Sequence, residues 1–238
     1  MTFESKCPVE VFNKYINSIS CIVKEAYLTA NVDHGLFATA INPTNVVYAN
    51  IGLPIPVNGE STSIPVDFFK IASSMPSSGE LNMKYDGSYI ICKVDKSKFK
   101  FPIFSKTAVR EVKKLNFTPE FVVDDLSPKV VYDSINKIIN YNTDTPSLFY
   151  KILFDIRDGM FYISDRDENV VTEICETSLS NASVVVSSDY IGSILLFFKK
   201  YIEGGISIGI SSDKILTLNC RQGDGFFEYG VAPIVEAD

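Results

Sequence analysis

Hydrophobic and polar positions recur along this chain with the periods of helices and of strands. Spacings of three and four predict amphipathic helices over residues 9–20 and 128–141. Their predicted apolar stripes are Val11, Phe12, Tyr15, Ile16 and Ile19 in the first helix, and Val130, Val131, Ile135, Ile138 and Ile139 in the second. Two further helices are predicted over 65–75, with Pro65 in the first turn, and over 188–203.

Other segments alternate with a period of two between turn residues, which is typical of β-strands. The hairpin turns are D-H-G at 33–35 and R-D-G at 157–159, and the meander turns lie at 85–88 and 211–213. The predicted strand segments are two hairpins, 27–40 and 149–164, and two meanders, 79–104 and 205–233.

The order of these elements repeats after roughly 120 residues, about half of the chain. Each half contains a helix, a hairpin, a second helix and a meander. Gly35-Leu36-Phe37 and Gly159-Met160-Phe161 occupy matching places. A chance similarity is the alternative to a duplication. Two such halves predict an α+β fold with helices on one face of antiparallel sheets.

The segment 107–119 separates the two halves. It has neither helical periodicity nor a glycine-rich composition, so we expect an extended linker. The predicted organisation is an N-terminal domain over 1–106, the linker over 107–119, and a C-terminal domain over 120–238.

Composition and charge narrow the classes of protein that this chain can represent. Its 238 residues are 46% hydrophobic, enough for a large core. No apolar run approaches ~18 residues and no secretory signal is recognisable, so we expect no membrane span and a place inside the cell. The net charge of −7 argues against a conventional DNA binder, so any contact with DNA depends on how charge is distributed.

Five scattered cysteines form no C-x-x-C pair. Their odd number and wide spacing exclude a zinc ribbon and argue against a disulfide framework. We interpret them as reduced residues of the core or of strands. They are Cys7, Cys21, Cys92, Cys175 and Cys220.

Candidate catalytic residues are few. His34, the one histidine, lies in a turn beside a glycine, where a solvated side chain is the alternative to a general base. Gly223-Asp224-Gly225 leads into a strand-like run, which argues against a phosphate-binding helix N-terminus. We expect no enzymatic activity.

One acidic segment partly matches a calcium-binding loop. Asp165, Asp167, Asn169 and Glu176 stand at positions 1, 3, 5 and 12 of such a loop. Position 6 is Val170 instead of the glycine that the sharp turn needs, and the flanking residues look extended. An acidic hairpin turn is therefore the favoured alternative to calcium binding. We expect neither a metal nor another cofactor.

Three stretches together carry a family resemblance. They are Asp33–Pro54 (DHGLFATAINPTNVVYANIGLP), the linker leading into Phe121-Val122-Val123, and Gly223–Glu236 (GDGFFEYGVAPIVE). In this order, and along essentially the whole chain, they resemble the DNA sliding clamps of the archaeal and eukaryotic PCNA (proliferating cell nuclear antigen) type. Val231-Ala232-Pro233 stands where that family has a Leu-Ala-Pro tail.

The resemblance implies a DNA-clamp fold, in which two similar domains of paired helices on antiparallel sheets assemble into a pseudo-sixfold ring. That ring is a head-to-tail trimer, of one chain type or several, around duplex DNA of any sequence. It implies a non-catalytic processivity factor for replication and repair, opened by a clamp loader, which tethers DNA polymerase, flap endonuclease and ligase through short peptide motifs. It also implies a nuclear location in a eukaryote or a nucleoid-associated, cytoplasmic one in an archaeon.

By position, the resemblance implies three groups of site residues. The DNA-facing group on the four helices is Lys14, Asn17, Lys70, Lys129, Asn136, Lys137, Lys199 and Lys200. The predicted peptide pocket is Ile41, Val46, Tyr48, Val112, Leu115, Phe117, Val231, Ala232 and Pro233. The predicted subunit interface is Lys98, Phe99, Lys100, Phe101, Val170, Val171, Glu173 and Ile174.

Helix charge has the sign expected of a DNA-lining surface. The four predicted helices carry six lysines and five carboxylates, an excess of one cation in a chain of net charge −7. The resemblance implies a larger excess. Either Lys24, Lys84 and Lys93 add charge from strand ends, or a heteromeric ring shares the load.

The two predicted interface strands differ in charge. The segment 96–104 carries three lysines, whereas 169–176 carries two glutamates after an acidic turn. Opposite charges on two edges favour heterologous, ring-closing contacts. The alternative is that these charges only protect two exposed strand edges from pairing.

Three hypotheses for function follow. The favoured one is a processivity clamp. The second is a clamp-like subunit of a heteromeric ring with a checkpoint, repair or transcription role, suggested by the weak helix charge. The third is a calcium-dependent or hydrolytic enzyme, which rests on the Asp165 segment and His34 alone.

Overall fold

A computed structural model describes residues 2–141, 150–211 and 215–234. The chain forms two compact units. The first comprises Met1–Pro43, Tyr48–Leu115 and Arg221–Phe227, and the second comprises Thr44–Val47, Asn116–Cys220 and Glu228–Asp238. Each unit has two helices and antiparallel strands, which agrees with the predicted α+β class.

The first unit is built mainly from nine strands and two helices. They are β1 (Phe3–Pro8), α1 (Val9–Ser20), β2 (Glu25–Asn31), β3 (Gly35–Ile41), β4 (Val47–Leu53), β5 (Val57–Gly59), β6 (Thr62–Asp67), α2 (Phe68–Ser74), β7 (Glu80–Tyr85), β8 (Tyr89–Val94) and β9 (Ser97–Pro102). Five strands form a sheet in the order β5-β1-β7-β8-β9, and the others are neighbours in the order β4-β3-β2-β6.

The second unit is built mainly from eight strands and two helices. They are β10 (Phe121–Leu126), α3 (Pro128–Tyr141), β11 (Lys151–Arg157), β12 (Met160–Asp165), β13 (Val171–Glu176), β14 (Ala182–Ser187), α4 (Ser188–Tyr201), β15 (Ile206–Ile210), β16 (Leu216–Gln222) and β17 (Gly225–Val231). Four strands form a sheet in the order β13-β12-β11-β14, and the others are neighbours in the order β10-β15-β16-β17.

Helices α1 and α3 begin and end where the hydrophobic spacing predicts. Most of each predicted stripe is buried in the core. The stripe prediction is wrong for Val11 and Val130, which are 37% and 47% exposed. Each precedes a fully buried residue, and one step along a helix turns the side chain by about 100°, out of the core.

The prediction of a helix from Pro65 is wrong. Pro65 lies in β6, opposite Tyr27 of β2, and the helix begins at Phe68. Asp67 provides the cap, because its Oδ1 accepts a hydrogen bond of 2.7 Å from the Lys70 backbone N–H. Proline is tolerated both in the end strand of a sheet and in the first turn of a helix. Pro65 by itself therefore does not show where the helix begins. Helix α4 ends at Tyr201, two residues before its predicted end.

The predicted hairpins are present as β2–β3 and β11–β12, and both turns use a glycine with positive φ, Gly35 and Gly159. The first meander is present as β7–β8–β9. The predicted hairpin start at Phe149, most of the turn at 211–213 and the end of the C-terminal stretch at 235–236 lie outside the described residues. Residues 107–119 contain no helix or strand.

All five cysteines are free thiols. Cys7 and Cys92 are buried on the core face of the five-stranded sheet, where burial raises the pKa of both thiols to about 12. Among the described residues, no helix is long and apolar enough to span a membrane.

Candidate functional site

Helices α1 and α2 pack against each other in the first unit and carry three residues of the DNA-facing group. Lys14 is half-buried, and its Nζ donates a 2.6 Å hydrogen bond to Oε1 of Gln222. The Asn17 side-chain amide donates to the carbonyl oxygen of Asn13 at 2.7 Å. Lys70 is exposed, so it is the group's most accessible cation on this helix pair.

Helices α3 and α4 pack against each other in the second unit and carry the other five residues. Lys129, Lys137 and Lys200 are exposed, and Asn136 is half-buried. Lys199 Nζ donates a 2.8 Å hydrogen bond to Oδ1 of Asp133. This contact lowers the pKa of the Asp133 carboxyl group below its usual value. The pair therefore neutralises one of the predicted DNA-facing cations.

The structure limits how much positive charge Lys24, Lys84 and Lys93 can add to the helix surfaces. Lys24 Nζ lies 4.0 Å from the Asp67 carboxylate. Lys84 and Lys93 point to the exposed face of the five-stranded sheet, whereas the opposite, buried face of β1 and β7 packs against α1. These two lysines therefore cannot add positive charge to the helix surface of their unit.

Each of the four helices also exposes a large apolar side chain. The exposed fractions are 37% for Val11, 59% for Phe69, 47% for Val130 and 50% for Leu196. Scattered exposed apolar residues are common, but a polyanion gains little from them. The helix surfaces are thus only weakly suited to tight phosphate contact. The sequence analysis did not single out Phe69 and Leu196. Helical periodicity could have revealed their exposure, because both fall on the side of their helix away from its buried residues.

The predicted interface strands are both at the end of their sheets. β9 is the last strand beside β8, and β13 is the last strand beside β12. On β9, Lys98 and Lys100 are exposed, and the rings of Phe99 and Phe101 stack with centroids 6.4 Å apart. Within the described residues, each strand therefore has one free edge of backbone donors and acceptors.

β13, the acidic one of the two predicted interface strands, follows a structured turn. Val171 is 42% exposed, Glu173 is exposed and Ile174 is half-buried. The Val170 backbone N–H donates a 2.7 Å hydrogen bond to Oδ1 of Asp165. The turn thus fixes the start of β13, while the strand keeps exposed apolar and acidic side chains.

The residues of the predicted peptide pocket fall in both units. In the first, Ile41 of β3 is opposite Tyr48 of β4, and the Leu115 backbone N–H donates a 2.8 Å hydrogen bond to Oη of Tyr48. Leu115 is 46% exposed and Val112 is half-buried. The Tyr48 hydroxyl group therefore anchors the end of the linker segment in this unit.

The remaining pocket residues lie in the second unit. The Ala232 backbone N–H donates a 2.8 Å hydrogen bond to the carbonyl oxygen of Val46. The Phe117 ring packs so closely on Gly230 that an added Cβ would lie 2.6 Å from it. Val231 is buried, and Pro233 is half-buried. The C-terminal segment is therefore held beside Val46.

The acidic segment forms a hairpin turn and not a calcium loop. Asp165 is buried, and its carboxylate accepts hydrogen bonds from the Val170 N–H and from the Asn169 side chain. Glu176 lies opposite Met160, at the other end of β12, about 17 Å from Asp165 at the usual strand rise. Glu168 instead pairs with Arg157 at 2.7 Å. No cluster of potential metal ligands occurs in the described ranges.

The two other candidates for catalysis are turn residues. His34 is exposed, and its ring meets the Phe37 ring edge-on at 6.4 Å. Gly223 and Asp224 form the turn before β17, as the strand-like sequence predicts. A strand does not offer the free N–H groups of a helix N-terminus, so this turn has no phosphate cradle of that kind.

Comparison with known proteins identifies the fold. The chain matches no protein-family profile and no curated protein sequence. It is similar to a chain of the PCNA2–PCNA3 complex from Sulfolobus tokodaii, with 18% identity, a TM-score of 0.78, and coverage of 98% of this chain and 100% of the other. It is also similar to A. fulgidus PCNA with the C-terminal region of FEN-1 bound (19%, 0.81, 99% and 100%).

A third similar structure is PCNA from Entamoeba histolytica, with 9% identity, a TM-score of 0.79, and coverage of 98% and 99%. Structural agreement over essentially the whole of each chain, at such low identity, shows a shared fold. The chain has the DNA-clamp fold of PCNA.

Proposed function

We propose that this protein is a sliding clamp: a non-catalytic ring that encircles duplex DNA and tethers replication and repair enzymes to it. The observation that carries the proposal is the full-length agreement of this fold with PCNA structures from archaeal and eukaryotic organisms. On this proposal, the protein is retained on DNA by topology and works where genomic DNA is replicated.

The electrostatics of the helices suit sliding better than tight binding. Exposed lysines such as Lys70, Lys129 and Lys137 offer non-specific contacts to phosphates. The Lys199–Asp133 pair removes one further contact. Few phosphate contacts give low affinity and little resistance to movement, and a closed ring needs no affinity to stay on DNA.

Client enzymes would dock short peptides at the predicted peptide pocket. The structure of A. fulgidus PCNA with the C-terminal region of FEN-1 supports peptide-mediated recruitment by this fold. In the first unit, exposed Leu115 and half-buried Val112 offer apolar surface to such a peptide. DNA polymerase, flap endonuclease, ligase and a clamp loader are the proposed clients.

Ring closure would join β9 of one subunit to β13 of the next. In the part of the chain that the structure describes, each is an end strand with one edge unpaired, and their exposed charges are opposite. Pairing two such edges would satisfy backbone groups and match charges in one contact.

The experiment that tests the clamp uses DNA topology as its variable. The protein is assembled on a nicked circle, free protein is removed by gel filtration, and half of the sample is cut with a restriction enzyme. We expect retention on the circle and rapid loss from the linear product. A linear product whose ends are blocked by tightly bound protein is the matched control and should retain the clamp. Equal retention on circular and open linear DNA would contradict the proposal.

A second candidate function is a clamp-like subunit that completes its ring with other chains. The specific observation that favours it is the modest positive charge of the four helices, which carry six lysines and three carboxylates, one of them paired with Lys199. More basic companion subunits would then supply the phosphate contacts. The PCNA2–PCNA3 complex is a heteromeric assembly of this fold.

A further inference from the structure

A lysine-rich groove occupies the exposed face of the five-stranded sheet in the first unit. It has a volume of about 630 Å³. The side chains alternate along each strand, so Ser5 and Met83 point inwards while Lys6 and Lys84 point outwards. The charged and amide side chains that line the groove are Glu4, Lys6, Asn82, Lys84, Lys93 and Lys98.

The positive charge of this groove is largely uncompensated. Lys84 Nζ donates a 2.7 Å hydrogen bond to Glu4 Oε1, which neutralises the carboxylate lining the groove. Lys6, Lys93 and Lys98 are exposed and have no ion-pair partner in the ranges that the structure describes. The isolated chain, whose net charge is −7, thus keeps three free cations in the groove, and two of them, Lys6 and Lys93, lie outside the predicted subunit interface.

These three lysines stand in one row across the sheet. Lys6 is opposite Asn82, Asn82 is opposite Lys93, and Lys93 is opposite Lys98. At the usual strand separation, the row spans about 14 Å. Like charges directly opposite each other destabilise a sheet, so the Lys93–Lys98 pair has a cost in stability. A bound anion would offset it.

We propose that this groove binds an acidic, extended segment of a partner protein. Two carboxylates spaced along such a segment could meet Lys6 and Lys93, the two lysines of the row that lie outside the predicted subunit interface. Ile91, which lies between Lys84 and Lys100 in the ladder, provides an apolar patch for a side chain of the segment. The amide groups of Asn58 and Asn82 can bond to its backbone.

Nucleic acid fits the groove less well than an acidic peptide. A phosphodiester backbone carries charge at every nucleotide, so it would extend beyond the row of lysines over a predominantly acidic protein. A peptide places its charges at discrete positions and can confine them to the row. The groove also lies on the sheet face opposite α1, so it is separate from the surface proposed to face duplex DNA.

The test uses a short fluorescent peptide of alternating Glu and Ala residues, with a Gln-for-Glu peptide and a single-stranded oligonucleotide as comparison probes. Anisotropy is measured with the wild-type protein and with the double variant Lys6→Ala/Lys93→Ala. Both lysines lie on strands inside the sheet and outside the predicted subunit interface. Lys96→Ala is the matched control, since Lys96 is an exposed lysine in the β8–β9 turn that does not line the groove.

We expect the Glu peptide to bind, the Gln peptide to bind at least ten times more weakly, and the double variant to bind the Glu peptide about 3- to 10-fold more weakly than wild type. Lys96→Ala should bind as wild type does, and added salt should weaken binding. Equal binding by the double variant, absence of Glu-peptide binding, or a groove-dependent preference for the oligonucleotide would each overturn the proposal. The proposed clamp function does not depend on any of these outcomes.

Discussion

Gly35 ends the turn between β2 and β3, and its missing side chain lets the backbone at the end of β4 pass close to that turn. Its φ is +98°, and an added Cβ would lie 2.3 Å from the Leu53 carbonyl oxygen and 2.8 Å from the Ile55 backbone nitrogen. Both contacts are to backbone atoms, which cannot move aside as a flexible side chain can. This position therefore requires glycine for two separate reasons: its positive φ and the backbone atoms that a side chain would meet.

Gly35→Ala should lower the free energy of unfolding by about 3 kcal/mol or more, from left-handed strain together with collision against backbone. Urea unfolding followed by circular dichroism measures this change. Gly87→Ala is the matched control, because Gly87 has the same φ of +98° but open space around it. It should lose only about 1–2 kcal/mol. Equal losses in the two variants would show that the close backbone contact has no energetic weight.

At the scale of elements, the pairing of α3 with α4 sets the charge of the second unit's helix surface. Lys199 holds Asp133 at 2.8 Å and also lies 4.4 Å from the centre of the Tyr132 ring. Asp133→Asn removes the negative charge and frees the lysine. The salt dependence of DNA binding should then become steeper, by up to about one counterion per subunit. Affinity measured over a series of salt concentrations gives this slope.

Asp189→Asn is the control for that experiment, because it makes the same change in net charge on exposed α4 without freeing Lys199.

The Lys199–Asp133 pair also predicts an effect of pH on stability. The folded pKa of Asp133 is depressed, so its stabilising contribution is present above the unfolded value near 4 and is lost as pH falls through the folded pKa. Unfolding curves of wild type and Asp133→Asn should therefore converge in acid. A constant difference at every pH would contradict this sign.

How far the sequence predicts an element depends on how local its cause is. The bounds of α1 and α3 follow from hydrophobic spacing alone, because each buries a clear stripe. The start of α2 does not, since Pro65 fits both structures and the cap at Asp67 decides between them. Side chains alternate along β7, so Lys84 points to the other face of the sheet from its buried neighbour Met83. The sequence therefore held the signal that this lysine faces away from the helices.

Contacts between distant residues could not be predicted in this way. The Lys199–Asp133 bond joins positions 66 apart, and Lys14 bonds Gln222 across 208 positions. Both depend on tertiary packing, which periodicity does not encode. The edge positions of β9 and β13 were implied by the family resemblance, and the strand orders agree with it. What pairs with those edges remains a prediction.

At the scale of the whole molecule, the two edges decide how copies of the chain associate. Within the chain, a basic end strand and an acidic end strand belong to different units. If one edge of each copy meets the other edge of the next, every contact in a ring contains one Lys98 and one Glu173. If the charges only protect free edges, no such pairing occurs.

A charge-swap cycle separates these two cases. Lys98→Glu and Glu173→Lys should each weaken self-association, by about 1 kcal/mol per contact, because each places like charges at every contact. The double variant restores opposite charges and should recover trimers, as measured by light scattering over a range of concentrations. Recovery by the double variant requires that the two edges meet, whereas two unrelated destabilising changes would add. A wild-type chain that stays monomeric at every concentration, and trimerises only with companion subunits, would instead favour the heteromeric ring, because the same edges would then select other chains.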